Sequence, residues 1–206
     1  DYANYWGEAV GRIALPTIND FSDGAEQLAG LTSANSPILQ LLVEVRENTR
    51  FPVVAGAVDD ATDAAGKLAD KGGKLEKLAV AAVGKASDAL VKKLPDTAKK
   101  SLQSRFDSLH RLLDDNNGPT ADLIPALTAL NDLQMQMASL ARASSPEQAA
   151  FEMAKTRMGG QRDALSNLRN ATGRLPRPVS VWFNVLSEDT WRLALSDSYR
   201  YLNQRY

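Results

Sequence analysis

The chain lacks cysteine altogether. That excludes disulfides, thiolate nucleophiles and cysteine metal sites, and it leaves the compartment open. Histidine occurs once, as His110. One imidazole cannot supply an HExxH pair or the several nitrogen ligands of a zinc site. Long hydrophobic runs are missing too. The longest, Leu78 to Val83, falls far short of the roughly 20 residues a bilayer-spanning helix needs. The opening Asp1-Tyr2-Ala3-Asn4-Tyr5-Trp6 has no basic stretch leading into an apolar one and does not read as a signal peptide. Neither sign of charge dominates: the net charge of −1 gives no global attraction to nucleic acid or anionic lipid. Aromatics are only 6% of the residues. The apolar set is mostly Ala and Leu, which favours helix over strand.

What is present is helical periodicity. Tyr2, Tyr5, Trp6, Val10 and Ile13 share one face of a helix over 1–14, and Pro16 closes it. Ile18, Phe21, Ala25, Leu28 and Leu31 repeat the pattern over 17–31. Ser36-Pro37 reads as a helix start, with Ser as cap and Pro at the first position. Ile38, Leu41, Leu42 and Val45 follow on one stripe, which must stop before Pro52.

Residues 55–94 change in character, to Ala, Gly, Lys and Asp without an aromatic. Nine of the ten lysines lie between Lys67 and Lys100, but interleaved acids such as Asp70, Glu76 and Asp88 nearly cancel them. The segment reads as a mobile, poorly packed insert with short helical pieces over 75–83 and 86–94.

From Pro95-Asp96 a strong pattern resumes with Leu102, Phe106, Leu109, Leu112 and Leu113. Asp115-Asn116-Asn117-Gly118-Pro119 is a turn in which every residue type is favoured. Leu123, Leu127, Leu130, Leu133, Met137 and Leu140 mark a long helix, with Pro125 delaying or kinking its start. Ser145-Pro146-Glu147-Gln148 has the form of a capping box. The helix it opens carries Phe151, Ala154, Met158, Leu165 and Leu168, weakened in its middle by Gly159-Gly160. After Pro176 and Pro178, residues 179–186 read as a short apolar helix. Ser187-Glu188-Asp189 then starts a final helix with Trp191, Leu195, Tyr199 and Leu202 as its stripe.

The expected fold is all-α: an elongated bundle of about seven to nine helices with no sheet. Residues 1–206 form a single helical region, with 55–94 as the insert and 95–206 as the main bundle. The chain begins inside an amphipathic helix without Met and ends inside one without a stop signal. It is therefore expected to be a piece of a longer protein.

Chemistry finds little support. Gly84-Lys85 is followed by Ala86, and Ala79 stands where a P-loop needs its first glycine. The acid pairs Asp59/Asp60, Asp114/Asp115 and Glu188/Asp189 fall at helix ends or in turns. There they solvate or cap rather than flank a scissile bond as in a glycosidase. His110 reads as a core-edge residue. The lysine cluster reads as a solvated surface, since it lacks aromatics for base stacking. Met135, Met137, Met153 and Met158 either fill the core or line an adaptable groove for a partner helix.

The ordered motifs resemble a known family. They are Tyr2-x-x-Tyr5-Trp6, then Leu31-Thr32-Ser33, then Ser36-Pro37-Ile38-x-x-Leu41-Leu42-x-x-Val45 and Thr49. Phe106-x-x-Leu109-His110-x-Leu112 follows, and then Leu175-Pro176-x-Pro178, Trp182, Trp191-Arg192-Leu193 and Tyr201-Leu202-Asn203. Together they are similar to the helical C-terminal region of TssM/IcmF proteins of the type VI secretion system. The resemblance implies a periplasmic segment of a bacterial inner-membrane protein that is a structural scaffold and not an enzyme. It implies no catalytic, cofactor or metal site, no nucleic acid and no small-molecule substrate. The implied partners are TssL, sister copies of the chain and an outer-membrane lipoprotein of the TssJ type, met mainly through a further C-terminal region that matches nothing here. The alternative is a helical adaptor that takes a partner helix in a Met-lined groove.

Overall fold

The computed structural model describes residues 2–50 and 96–206. Among these the fold is all-α, with no strand and one isolated bridge, between Leu113 and Pro119. The insert at 55–94, with its two expected helical pieces, lies outside the described residues. The helices are α1 (Tyr2–Gly11), α2 (Phe21–Thr32), α3 (Pro37–Thr49), α4 (Asp96–His110), α5 (Ile124–Ala141), α6 (Pro146–Met158), α7 (Ala164–Thr172) and α8 (Val179–Asn203).

The chain divides into two compact units. One holds residues 1–45 and 108–206. The other holds residues 46–107, and its described part is the end of α3 and most of α4, with Leu102 and Phe106 buried.

Within the first unit, α2 packs on α5 and α6 packs on α8; these are its most extensive helix pairs. α7 bridges α5 and α8. The expected stripe of α2 holds in full, since Ile18, Phe21, Ala25, Leu28 and Leu31 are all buried. Its start is set by a reciprocal cap that the sequence reading passed over. Asp20 Oδ1 accepts the Asp23 N–H at 2.8 Å, and Asp23 Oδ2 accepts the Asn19 N–H at 2.9 Å. One orphan donor of the first turn, and the N–H just before the cap, are thereby satisfied. The Asn19 N–H, with the Gln27 side chain, holds the Asp23 carboxyl below its ordinary 3.8.

The turn after α4 forms as expected. Asp114 Oδ1 accepts the N–H groups of Asn116 and Gly118 at 2.9 and 2.8 Å. Asn117 takes the positive φ of 63°, which Asn tolerates better than most residues. Pro125 falls in the first turn of α5, where its missing N–H costs nothing, and so it starts the helix.

Four expectations are corrected. Ser36 does not cap α3 with its side chain: its Oγ is buried without a partner, and its backbone carbonyl accepts the Gln40 N–H at 3.0 Å. Ser145 sits at the N-cap of α6 with Pro146 behind it, but its hydroxyl makes no capping bond, so the capping box does not close. Gly159-Gly160 ends α6 rather than weakening it. Gly160 has φ +80°, which no helix can propagate, and α7 starts afresh under an Asp163 cap. Finally, residues 179–203 are one helix of 25 residues, not two. Ser187 and Thr190 lie buried in its interior, where the sequence suggested a second start.

The second half of α8 consequently faces the core with a different stripe. The buried residues are Ser187, Thr190, Ala194 and Ser198, whereas Trp191, Leu195 and Leu202 are half-buried and Tyr199 is exposed. The hydroxyls fold back on the helix. Thr190 Oγ1 donates to the Leu186 carbonyl at 2.8 Å, and Ser198 Oγ to that of Ala194 at 2.6 Å. These two hydroxyls are thus satisfied within their own helix. Small side chains on this face let α6, which buries Ala150 and Ala154, lie close alongside.

Trp182 Nε1 donates to the Ile13 carbonyl at 2.8 Å and ties the segment after α1 to α8. Tyr5, which packs edge-on against Trp6, is exposed.

Three helices converge at Met137. A Cβ placed on Gly24 of α2 would overlap Met137 Cε and stand 2.8 Å from Ile18 Cγ2. Thr190 of α8 lies on Met137 as well, with 3.8 Å between Oγ1 and Sδ. Met137 is fully buried, so moving its thioether aside would disturb the side chains packed around it. Gly24→Ala is therefore expected to destabilise the chain by about 1–2 kcal/mol, even though Ala favours an exposed helix over Gly by about 1 kcal/mol. Urea unfolding would measure this, and an unchanged or higher midpoint would mean that the contact is not tight.

Candidate functional site

A surface hollow lies where the end of α6 and the middle of α7 meet α8. It is a cleft of about 460 Å³ lined by Arg157, Met158, Arg169, Asn184, Glu188 and Trp191, with Ser187 beneath. Its geometry follows from the break at Gly159-Gly160. Because α6 stops there and α7 restarts at Ala164, Arg157 and Asp163 are folded onto each other.

Asp163 is the centre of that corner. Its Oδ1 accepts the Arg157 Nη1–H at 2.6 Å, the Ser166 N–H at 2.8 Å and the Ser166 hydroxyl at 2.7 Å. Arg157 also reaches Ser166 Oγ at 3.1 Å, and its guanidinium lies 5.1 Å from the Trp191 ring centroid. This is within cation–π range. The pair is largely withdrawn from water, with side-chain exposures of 17% for Arg157 and 9% for Asp163. Burial pushes the Asp163 carboxyl up, but its Ser166 bonds and the Arg157 bond and charge outweigh that and hold it below 3.8. One residue thus caps α7, ends the α6–α7 corner and anchors the arginine that covers Trp191. The sequence carried a signal for this: Asp163 stands three residues before Ser166 and three after the Gly159-Gly160 pair. Sequence reading missed it by running one helix through the Gly pair.

Asp197, farther along α8, shows the opposite balance. Desolvation raises its carboxyl above 3.8, the nearby Arg200 opposes this, and Glu147 and Asp20 add to it.

The residues weighed from sequence are dispersed. His110 is buried at the end of α4. Asp114 organises the 114–118 turn, and Asp189 pairs with Arg192 at 2.7 Å in mid-helix. Glu188 lines the cleft. Asp59/Asp60 and the lysines up to Lys93 lie outside the described residues. The four methionines do not form one groove: Met137 and Met153 are in the core, while Met135 and Met158 are exposed. Among the described residues, no group of three or more His, Asp or Glu side chains is placed to hold a metal ion. Among them also, no helix is long and apolar enough to cross a membrane.

Residues 1–50 match a family model described as "IcmF-related: Intracellular multiplication and human macrophage-killing". This stretch includes α1, α2 and α3, with the motifs from Tyr2 to Thr49 on which the resemblance to TssM/IcmF proteins began. The resemblance is thereby shown over those residues; the motifs from Phe106 onward lie outside the match. No curated protein and no solved structure matches the chain.

Removing the hub at Asp163 separates its roles. Asp163→Ala loses the cap and leaves Arg157 buried without its anion, an expected cost of about 2–4 kcal/mol. Asp163→Asn keeps a capping oxygen and is expected to cost less. The folded-state pKa lies below the unfolded value, so this carboxylate contributes stability above about pH 4. That contribution is lost as pH falls through the folded-state value. Acid titration of unfolding should therefore be shallower in Asp163→Asn than in the parent below pH 4, and identical slopes would remove Asp163 from the linkage.

Proposed function

We propose that the chain is a non-enzymatic scaffold segment of the type VI secretion membrane complex, from the periplasmic part of a TssM-like inner-membrane protein. The single observation that carries this reading is the family match over residues 1–50, the region where sequence motifs independently point to TssM/IcmF proteins. The architecture is compatible with load-bearing. The matched segment is bound into the first unit along most of its length, by α2 on α5 and by the Trp182–Ile13 bond. A pull between the two ends of that unit is then borne by side-by-side helices and not by a single linker.

In this reading the chain works through surfaces. Its partners are TssL, sister copies and an outer-membrane lipoprotein of the TssJ type, the last reached mainly through a region that follows this segment. The cleft beside α8 serves as a rigid corner, since Arg157 is committed to Asp163, Ser166 and Trp191.

Pull-down against a purified TssJ-type lipoprotein and a TssL soluble domain tests the reading. The 206-residue chain is compared with a longer form that carries the following region of the TssM-like protein. Binding of the lipoprotein by the longer form and not by the shorter is the expected result. Binding by the shorter form alone would place the recognition surface on these helices. No binding of either partner by either form would overturn the scaffold assignment.

A further inference from the structure

Helix α8 is buried on one side only. Its inner face carries Trp182, Phe183, Leu186, Thr190, Ala194 and Ser198. Along the other side run Val181, Val185, Glu188, Arg192, Leu195 and Tyr199, at alternating steps of four and three, and none of them is buried. Val181, Val185 and Tyr199 are 42%, 40% and 64% exposed. The steps average 3.6 residues, so the six side chains stay in line along one face of α8.

The composition of the stripe is symmetric about position 190. Val181 and Tyr199 lie nine residues to either side of it, Val185 and Leu195 five, and Glu188 and Arg192 two. Two copies of α8 laid antiparallel across a two-fold axis at that position would bring each residue opposite its mirror image. Val181 would meet Tyr199 of the other copy, and Val185 would meet Leu195. Glu188 and Arg192 would form two equivalent ion pairs at the centre. This is the self-complementarity an isologous interface requires. A parallel, in-register pairing would oppose Glu188 to Glu188 and Arg192 to Arg192, so the charges select the antiparallel arrangement.

Arg192 keeps the capacity for this. Its Nη2 donates to Asp189 Oδ1 at 2.7 Å while its side chain remains 63% exposed. A guanidinium has five donors, so this bond leaves others for a carboxylate across the axis. Met158, exposed beside Glu188 at the cleft, would add apolar area at the flank.

We infer that the outer stripe of α8 is a homotypic docking seam, whose occupant is the same stripe of a second copy in antiparallel register. The stripe is about 27 Å long at 1.5 Å per residue. It belongs to the small end of specific interfaces. Association is therefore weak for free chains, and strong where copies are already held together. The inference deepens the scaffold reading by naming which face meets a sister copy. It rests on that reading for its setting alone, because the pairing is measured on the chain by itself, independently of any lipoprotein.

The absence of native cysteine makes the test clean. Val185→Cys and Leu195→Cys chains, full length and mixed under mild oxidation, should form disulfide dimers between unlike chains. Either chain alone should form few, because like positions would lie about 15 Å apart along the axis, beyond disulfide reach. In sedimentation equilibrium, Glu188→Arg or Arg192→Glu should each weaken self-association about tenfold. The double exchange Glu188→Arg/Arg192→Glu should return it to within about threefold of the parent. Circular dichroism checks that each variant folds. Like-with-like dimers of Val185→Cys, no excess of mixed dimers, or a folded double exchange no better than the single ones would each overturn the seam.

Discussion

The contact on which the first unit depends is the meeting of Gly24, Met137 and Thr190. α2 can approach α5 closely only because position 24 has no Cβ; Met137 occupies the space that one would take. On its other side Met137 is stopped by Thr190, whose hydroxyl is turned back to the Leu186 carbonyl and so presents no unsatisfied polar atom. A flexible thioether fills the irregular gap between a glycine and a threonine better than a branched side chain could. Three helices from distant parts of the chain are thereby fixed at one point. α8 is then positioned for Trp182 to reach Ile13 and for Trp191 to lie under Arg157.

The second fixed point is polar. Asp163 gathers Arg157 and Ser166 at the corner where α6 gives way to α7. A buried ion pair of this kind is weak evidence of net stability, since desolvation opposes it, but losing one partner is costly. Its value to the fold is geometric: it fixes the angle between two helices that the Gly159-Gly160 break would otherwise leave free.

Both features bear on how the first unit resists deformation. Helices that lie side by side and are pinned in the middle resist sliding better than helices joined only at their ends. The inner face of α8 is buried, with large side chains in its first half and small ones in its second, while its outer stripe is long and mixed. One helix can therefore hold its own unit together and still offer a self-complementary surface outward, because the two faces draw on different residues of the same turn.

The sequence by itself determined the all-α class, the stripe of α2, the 114–118 turn and the start of α5 at Pro125. Each is decided within a few residues by periodicity, by a missing N–H or by side-chain-to-backbone bonds. The resemblance of residues 1–50 to TssM/IcmF proteins was legible there too, as motif order. Tertiary packing decided what local signals left balanced. Ser187-Glu188-Asp189 has the chemistry of a helix start, yet burial of Ser187 and Thr190 against neighbouring helices carried α8 straight through it. Trp191, Leu195 and Tyr199 look like a core stripe by hydrophobicity. Only small residues fit where α6 lies close, so Ala194 and Ser198 took the inside and the larger side chains were turned outward. Sequence periodicity reports that a helix has a face; which of two competing faces is buried depends on the space its neighbours leave.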